Sequence, residues 1–223
     1  VLVKNFLAIF FLFAFGGPVF SQTRFSLSTE LVAQRSLQKE QRFWAVGQNV
    51  IGTWHFSPKE SGYALIGYFA PGSFYIPLVA TAKSFATSPQ EIVFRNREKI
   101  RLKEISFGWR HYLKGAFDVE DTWALYGLVG FGLVYGKASN SFQAIPDTSL
   151  YYLPTEPLQG EGHFKRLSLD LGLGVEYPVG DEFFVYAEAK TWIPTTQYPS
   201  KYLFVNKNAP LVALASIGVR IIF

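Results

Sequence analysis

The chain has 223 residues, a net charge of +4, no cysteine, and aromatic residues at 17% of the total. That length fits one domain or at most two, and the absence of cysteine excludes a disulfide framework, a thiolate metal site, a cysteine nucleophile and a lipidated N-terminal cysteine. The charge is modest and no run of like charges is long enough for a nucleic-acid arm, whereas 22 Phe and 12 Tyr exceed what a soluble domain usually carries.

The chain opens with Lys4, an apolar run over 6–15, Gly16-Gly17-Pro18 and the small residue Ser21. This order of positive flank, short apolar core and small-residue exit reads as a secretory signal peptide over 1–21, with a mature domain over 22–223. A membrane helix needs about 20 apolar residues, so this run is too short, and no later run is longer. From Thr23, Phe25, Leu27, Leu31 and Ala33 alternate with Ser26, Ser28, Glu30 and Val32, which predicts a first strand. A polar link over 35–41 leads to a second strand at 43–56, with Trp44, Val46, Val50, Trp54 and Phe56 on one face. Gln48 breaks that parity, which suggests a bulge or a rotation toward the interior.

A turn over 57–62 precedes a third strand at 63–70, and 71–98, with two prolines inside an apolar stretch, reads as a long surface loop with room for a hairpin extending the wall. The fourth strand, 100–113, sets Ile105, Phe107, Trp109 and His111 against Glu104, Ser106, Gly108 and Arg110. After a polar turn at 114–121, the fifth strand at 122–137 carries Trp123 and Tyr135 at the two ends of one apolar face. A second long loop spans 138–164.

The plainest stretch follows: Leu167, Leu169, Leu171, Leu173, Val175 and Tyr177 alternate with Arg166, Ser168, Asp170, Gly172, Gly174 and Glu176. A tight turn at 178–182 leads to Phe183, Val185, Ala187, Ala189 and Ile193, alternating with Tyr186, Glu188, Lys190 and Trp192. After a third long loop at 194–210, the last strand at 211–223 turns Ser216, Gly218 and Arg220 inward. One face suits lipid and the other a polar interior, so the prediction is all-β: an eight-stranded antiparallel up-and-down transmembrane β-barrel. Short turns at one end, longer loops at the other and an even strand number fit the same class, with both termini in the periplasm.

On these features the mature chain resembles the small eight-stranded outer-membrane β-barrel family of the OmpX/OmpA-like class. The resemblance implies a cell outer membrane location in a Gram-negative envelope and export through a cleaved signal peptide; it carries no diagnostic active-site motif, and the chain reads as a non-enzymatic barrel with no cofactor. The terminal Phe223 resembles the signal read by the barrel-assembly machinery, and no segment beyond it suggests a wall-binding domain. Trp44, Trp54, Trp109, Trp123, Tyr135 and Tyr177 are the expected interfacial aromatics.

The expected interior holds Glu30, Glu104, Arg110, Arg166, Asp170, Glu176, Glu188, Lys190 and Arg220, with nearly balanced signs. Eight strands leave room only for side chains, so these groups should pair as a lumen ion-pair network, with Glu188, Lys190 and Arg220 on neighbouring strands among its members. His55-Phe56-Ser57 resembles the His-x-Ser arrangement of a lipid A deacylase family, but it abuts a tight turn at the wrong end of the barrel. The larger outer-membrane protease barrels need a strand count this chain lacks, and the three histidines assemble no metal site. Arg35, Lys39, Arg42, Arg95, Arg97, Lys99, Arg101, Lys137, Lys201 and Lys207 lie in or beside the long loops, where lipopolysaccharide phosphates would attract them. Phe74, Tyr75, Tyr151, Tyr152, Tyr198 and Tyr202 are candidates for a recognition surface in those loops. The expected partners are outer-membrane lipid and lipopolysaccharide, the assembly machinery, and a protein partner if the chain is a subunit of a larger complex; nucleic acid is not among them.

Overall fold

The computed structural model describes residues 24–195, apart from 40, 156 and 158, and residues 211–223. The expected signal peptide and most of the third long loop lie outside these residues. Among the described residues are ten antiparallel strands: β1 (Arg24–Ser36), β2 (Trp44–Ser57), β3 (Glu60–Phe69), β4 (Gly72–Ala82), β5 (Glu91–Lys114), β6 (Ala124–Gln143), β7 (Tyr151–Tyr152), β8 (Gly160–Pro178), β9 (Phe183–Pro194) and β10 (Val212–Ile222). Eight of them close a ring in the order β1-β2-β3-β5-β6-β8-β9-β10, sealed where β10 pairs with β1.

Following side-by-side partners once around the ring leads from Ser26 through Thr53, Tyr63, Gly108, Gly130, Asp170, Trp192 and Val212 back to Ser36. The path returns ten residues further along β1, from 26 to 36, and a stagger of that size tilts the strands by about 40° to the barrel axis. Because period-two alternation is unbroken through most of the wall, every ring strand buries one set of side chains and exposes the other.

Segment 71–98 is the hairpin that extends the wall rather than a long surface loop. β3 and β4 act as one long strand along β5, and 91–99 is the first part of β5 itself. Tyr68 pairs with Lys103 and Gly72 with Ile100, so one extra residue is accommodated at Ala70-Pro71. That bulge flips the parity: even-numbered residues face outward in β3, odd-numbered ones in β4. Pro77 is tolerated because β4 is an edge strand along most of its length, paired only at its tip with β7. Together β4, the first half of β5, the end of β6 and β7 make a blade that continues the wall beyond the ring. The second long loop shrinks accordingly to 144–159, and the turns at the other end fall at 58–59, 115–123 and 179–182.

Gln48 neither bulges nor turns inward. Its register with Leu31 and Tyr68 is regular, it is exposed, and its amide donates to Thr29 Oγ1 at 3.2 Å across the outer wall.

Candidate functional site

The interior is stacked in layers. Toward the long-loop end, Val32, Phe43, Phe69, Phe74, Ile100, Phe164, Trp192 and Leu214 form an apolar layer. In it Phe43 stacks on Phe74 at 6.1 Å and Phe69 meets Trp192 edge-on at 5.2 Å. Toward the short-turn end, Ile51, Tyr63, Leu65, Tyr112, Phe117, Tyr126 and Phe184 form a second layer. Phe117 belongs to the 115–123 turn, which folds back into the mouth of the barrel. Its ring stacks on His55 at 4.0 Å and its carbonyl accepts from Arg220 Nη2 at 2.7 Å.

Between these layers lie the charges. Lys190 Nζ sits 2.7 Å from Glu30 Oε1 and 2.7 Å from Glu188 Oε2, and Glu188 Oε1 accepts from Arg110 at 3.1 Å and from the Tyr126 hydroxyl at 2.7 Å. Glu30 also accepts from Asn49 at 2.6 Å and from Ser216 at 2.7 Å. Arg220 stands apart from this group and pairs with Glu176 at 2.8 Å, so the expected grouping of Glu188, Lys190 and Arg220 divides into two clusters. Their strands are neighbours, but Arg220 lies nearer the short-turn end, where the 115–123 turn supplies its second acceptor. Glu104 and Asp170 meet over Gly132, with Ser168 donating to Asp170 at 2.9 Å. Arg166 is buried with its guanidinium 5.9 Å from the Phe164 ring.

Two glycines make this packing feasible. A Cβ on Gly132 would lie 2.7 Å from Glu104 Oε1 and 2.8 Å from Ser168 Oγ, and one on Gly174 would collide with the Tyr126 ring. With their hydrogens only, the strand backbone offers shelves on which the polar groups rest.

His55 is buried and shares hydrogen bonds with Ser26 at 2.9 Å and Ser61 at 2.7 Å, not with Ser57. It points into the barrel beneath Phe117, away from any lipid substrate, and both ring nitrogens are taken by serine hydroxyls rather than by an acid. Trp44, Trp54, Trp109, Trp123, Tyr135 and Tyr177 all face outward, Tyr135 being the least exposed of them. Basic groups accompany several of these rings: Arg35 lies over Trp44 at 5.0 Å, Lys165 over Tyr135 at 5.7 Å and Lys114 over Trp123 at 3.5 Å. Phe223 is exposed, its ring 6.3 Å from that of Phe25.

The blade corrects the expected recognition surface. Phe74 and Tyr151 are buried on its inner side, because the bulge at Ala70-Pro71 and the docking of β7 turn them inward, while Tyr75 and Tyr152 remain exposed. Tyr198, Tyr202, Lys201 and Lys207 lie outside the described residues. Sequence reasoning missed the interior aromatics Phe69 and Phe117, and it missed the buried Glu98 on the blade. Phe69 still follows from parity; the turn residue Phe117 gives no periodic signal.

Burial pushes the Glu98 carboxyl up to about 8, although Asn96 donates to it at 2.6 Å. The folded blade therefore holds this proton more tightly than the unfolded chain, whose glutamate titrates near 4.5. Blade stability is expected to be highest below pH 4.5 and to fall as the pH rises through 8. Glu98→Gln should flatten that dependence; proteolysis of the 83–90 and 144–159 loops between pH 5 and 9 measures it, and a parallel pH slope in the variant would refute the assignment.

The closed eight-stranded ring, polar inside and apolar outside, with tight turns at one end and long loops at the other, defines a small outer-membrane β-barrel. The family profile for the outer membrane protein beta-barrel domain matches residues 77–207. The chain belongs to that family. Among solved structures, Neisserial surface protein A is similar at 13% identity and a TM-score of 0.50, covering 88% of this chain and 96% of that one. The outer membrane protein OprG from Pseudomonas aeruginosa is similar at 12% identity and a TM-score of 0.50, covering 90% and 96%. Both likenesses concern the fold. No curated protein sequence matches significantly.

Proposed function

We propose that this chain is a non-enzymatic outer-membrane barrel with a plugged lumen, which serves envelope integrity or surface recognition through its long-loop end. The observation that carries this reading is the filled interior: an apolar layer and a Phe117-capped layer enclose paired charges. Moving a hydrated ion along that path would need both layers to separate and the ion pairs to break. Among the described residues, the blade with its adjoining loops reaches furthest beyond the apolar belt. Planar-bilayer recording of the refolded protein should give no steady conductance; reproducible single-channel steps would overturn the plugged reading.

A second reading, an accessory subunit of a larger outer-membrane complex, draws support from the outer wall that runs from β2 across β1, β10 and β9 to β8. There a groove of about 950 Å³ runs past Thr29, Gln48, Ala187 and Ile217, and the Gln48–Thr29 hydrogen bond places polar atoms on an otherwise apolar wall. Extraction in mild detergent tests it: elution as a single species at the mass of one chain would remove this reading.

A further inference from the structure

We propose that the outward face of the blade binds lipopolysaccharide, holding its phosphate groups along Arg95, Arg97, Lys99, Arg101 and Lys103. The inference rests on reading the chain as an outer-membrane barrel whose long-loop end faces outside. These five residues are consecutive outward positions of β5, alternating with the inward Asn96, Glu98, Ile100 and Leu102. Strand geometry sets them about 7 Å apart in a ladder of roughly 27 Å.

Among the described residues none of the five makes an ion pair. Glu98 and Glu104 of the same strand point inward, Glu91 lies at the tip beyond Val93, and Glu161 is taken by Lys137 at 2.8 Å. Arg101 moreover sits directly opposite Lys137, and with Glu161 as the one anion paired to these two cations among the described residues, a further anion beside them is favourable. Hydroxyl donors flank the ladder, with Ser73 and Ser139 both paired to Lys99 and Ser141 paired to Arg97. Guanidinium groups beside hydroxyls suit phosphate, which they can grip through two parallel hydrogen bonds.

Height selects the kind of phosphate. Lys103 marks the edge of the apolar belt, paired with Tyr68 and Tyr135 and packed over the Tyr68 ring at 5.5 Å. From there each residue climbs further from the membrane. A phospholipid offers one headgroup phosphate and would meet only the lowest rungs. Lipopolysaccharide carries anionic groups at the membrane surface and again along its inner sugars, so a single molecule lying against the blade can engage the whole ladder.

The test uses the refolded full chain in phosphatidylcholine nanodiscs with added lipopolysaccharide, native or stripped of phosphate. The wild type should bind the native form in a salt-dependent way, and Arg97→Ser/Lys99→Ser/Arg101→Ser should weaken binding on the order of a hundredfold. Stripped lipopolysaccharide should bind the wild type as poorly. Lys59→Ser/Lys114→Ser, at the opposite end, should change nothing. Unchanged binding by the triple variant, or equal binding of the stripped form, would overturn the proposal. So would competition by phosphatidylglycerol or inorganic polyphosphate as effective as native lipopolysaccharide. If the triple variant does not fold, as judged by heat-dependent gel mobility, Lys99→Ser/Arg101→Ser carries the same comparison. Conductance of the same samples reports separately on the plugged lumen, so either idea can fail alone.

Discussion

Replacing Glu188 by leucine is expected to destabilise the barrel by about 3–5 kcal/mol, because it strips two buried cations of their shared anion. Glu188 lies between Arg110 at 3.1 Å and Lys190 at 2.7 Å and also accepts from Tyr126 at 2.7 Å, with all four side chains enclosed. Lys190 keeps Glu30 as a partner, whereas Arg110 loses the one ion pair it makes among the described residues. Urea unfolding in lipid vesicles, followed by tryptophan emission, measures the change. The double variant Glu188→Leu/Arg110→Met should recover much of the loss, since removing both charges removes the uncompensated one. A single-variant loss below about 1 kcal/mol would mean that water already solvates this layer.

Trp192→Ala should cost a similar amount, about 3–5 kcal/mol, for a different reason. Trp192 is 4% exposed, stands edge-on to Phe69, and belongs to the apolar layer with Phe43, Phe74 and Phe164. Those rings come from separate strands and connecting segments whose backbones are fixed by the ring, so they cannot close the cavity an alanine would leave. The expected readout is a lower temperature for the heat-induced shift in gel mobility. An unchanged midpoint would show that the long-loop end is loosely filled.

The barrel was legible in the sequence wherever side chains alternate without interruption, as from Arg166 to Tyr177, because one periodicity then encodes strand, face and environment together. The blade was obscured by one inserted residue at Ala70-Pro71 and by Pro77, which look like loop chemistry until a neighbouring strand is known. Yet Arg95, Arg97, Lys99, Arg101 and Lys103 already show the period of a strand, and applied there the same rule would have extended β5 by nine residues to Glu91. Which interior charges touch was not legible. Arg220 sits beside Glu176 rather than Glu188 because of stagger and of a turn that folds back, and neither leaves a mark in local pattern. Lys103 was overlooked as a rung because its role depends on where the apolar belt ends.

The seam between β1 and β10 has a kinetic consequence. Other ring neighbours follow one another along the chain directly or after one excursion into the blade, but Ser26 meets Ile222, so this ladder joins segments nearly the whole chain apart. The entropy of bringing them together must be met before any of its hydrogen bonds can form. Arg220, which holds the Phe117 carbonyl, sits on the strand that completes the seam, so circularisation and stoppering become a single late event. Until then the half-built sheet carries two open edges, and the slowest step of assembly should be the one that removes both.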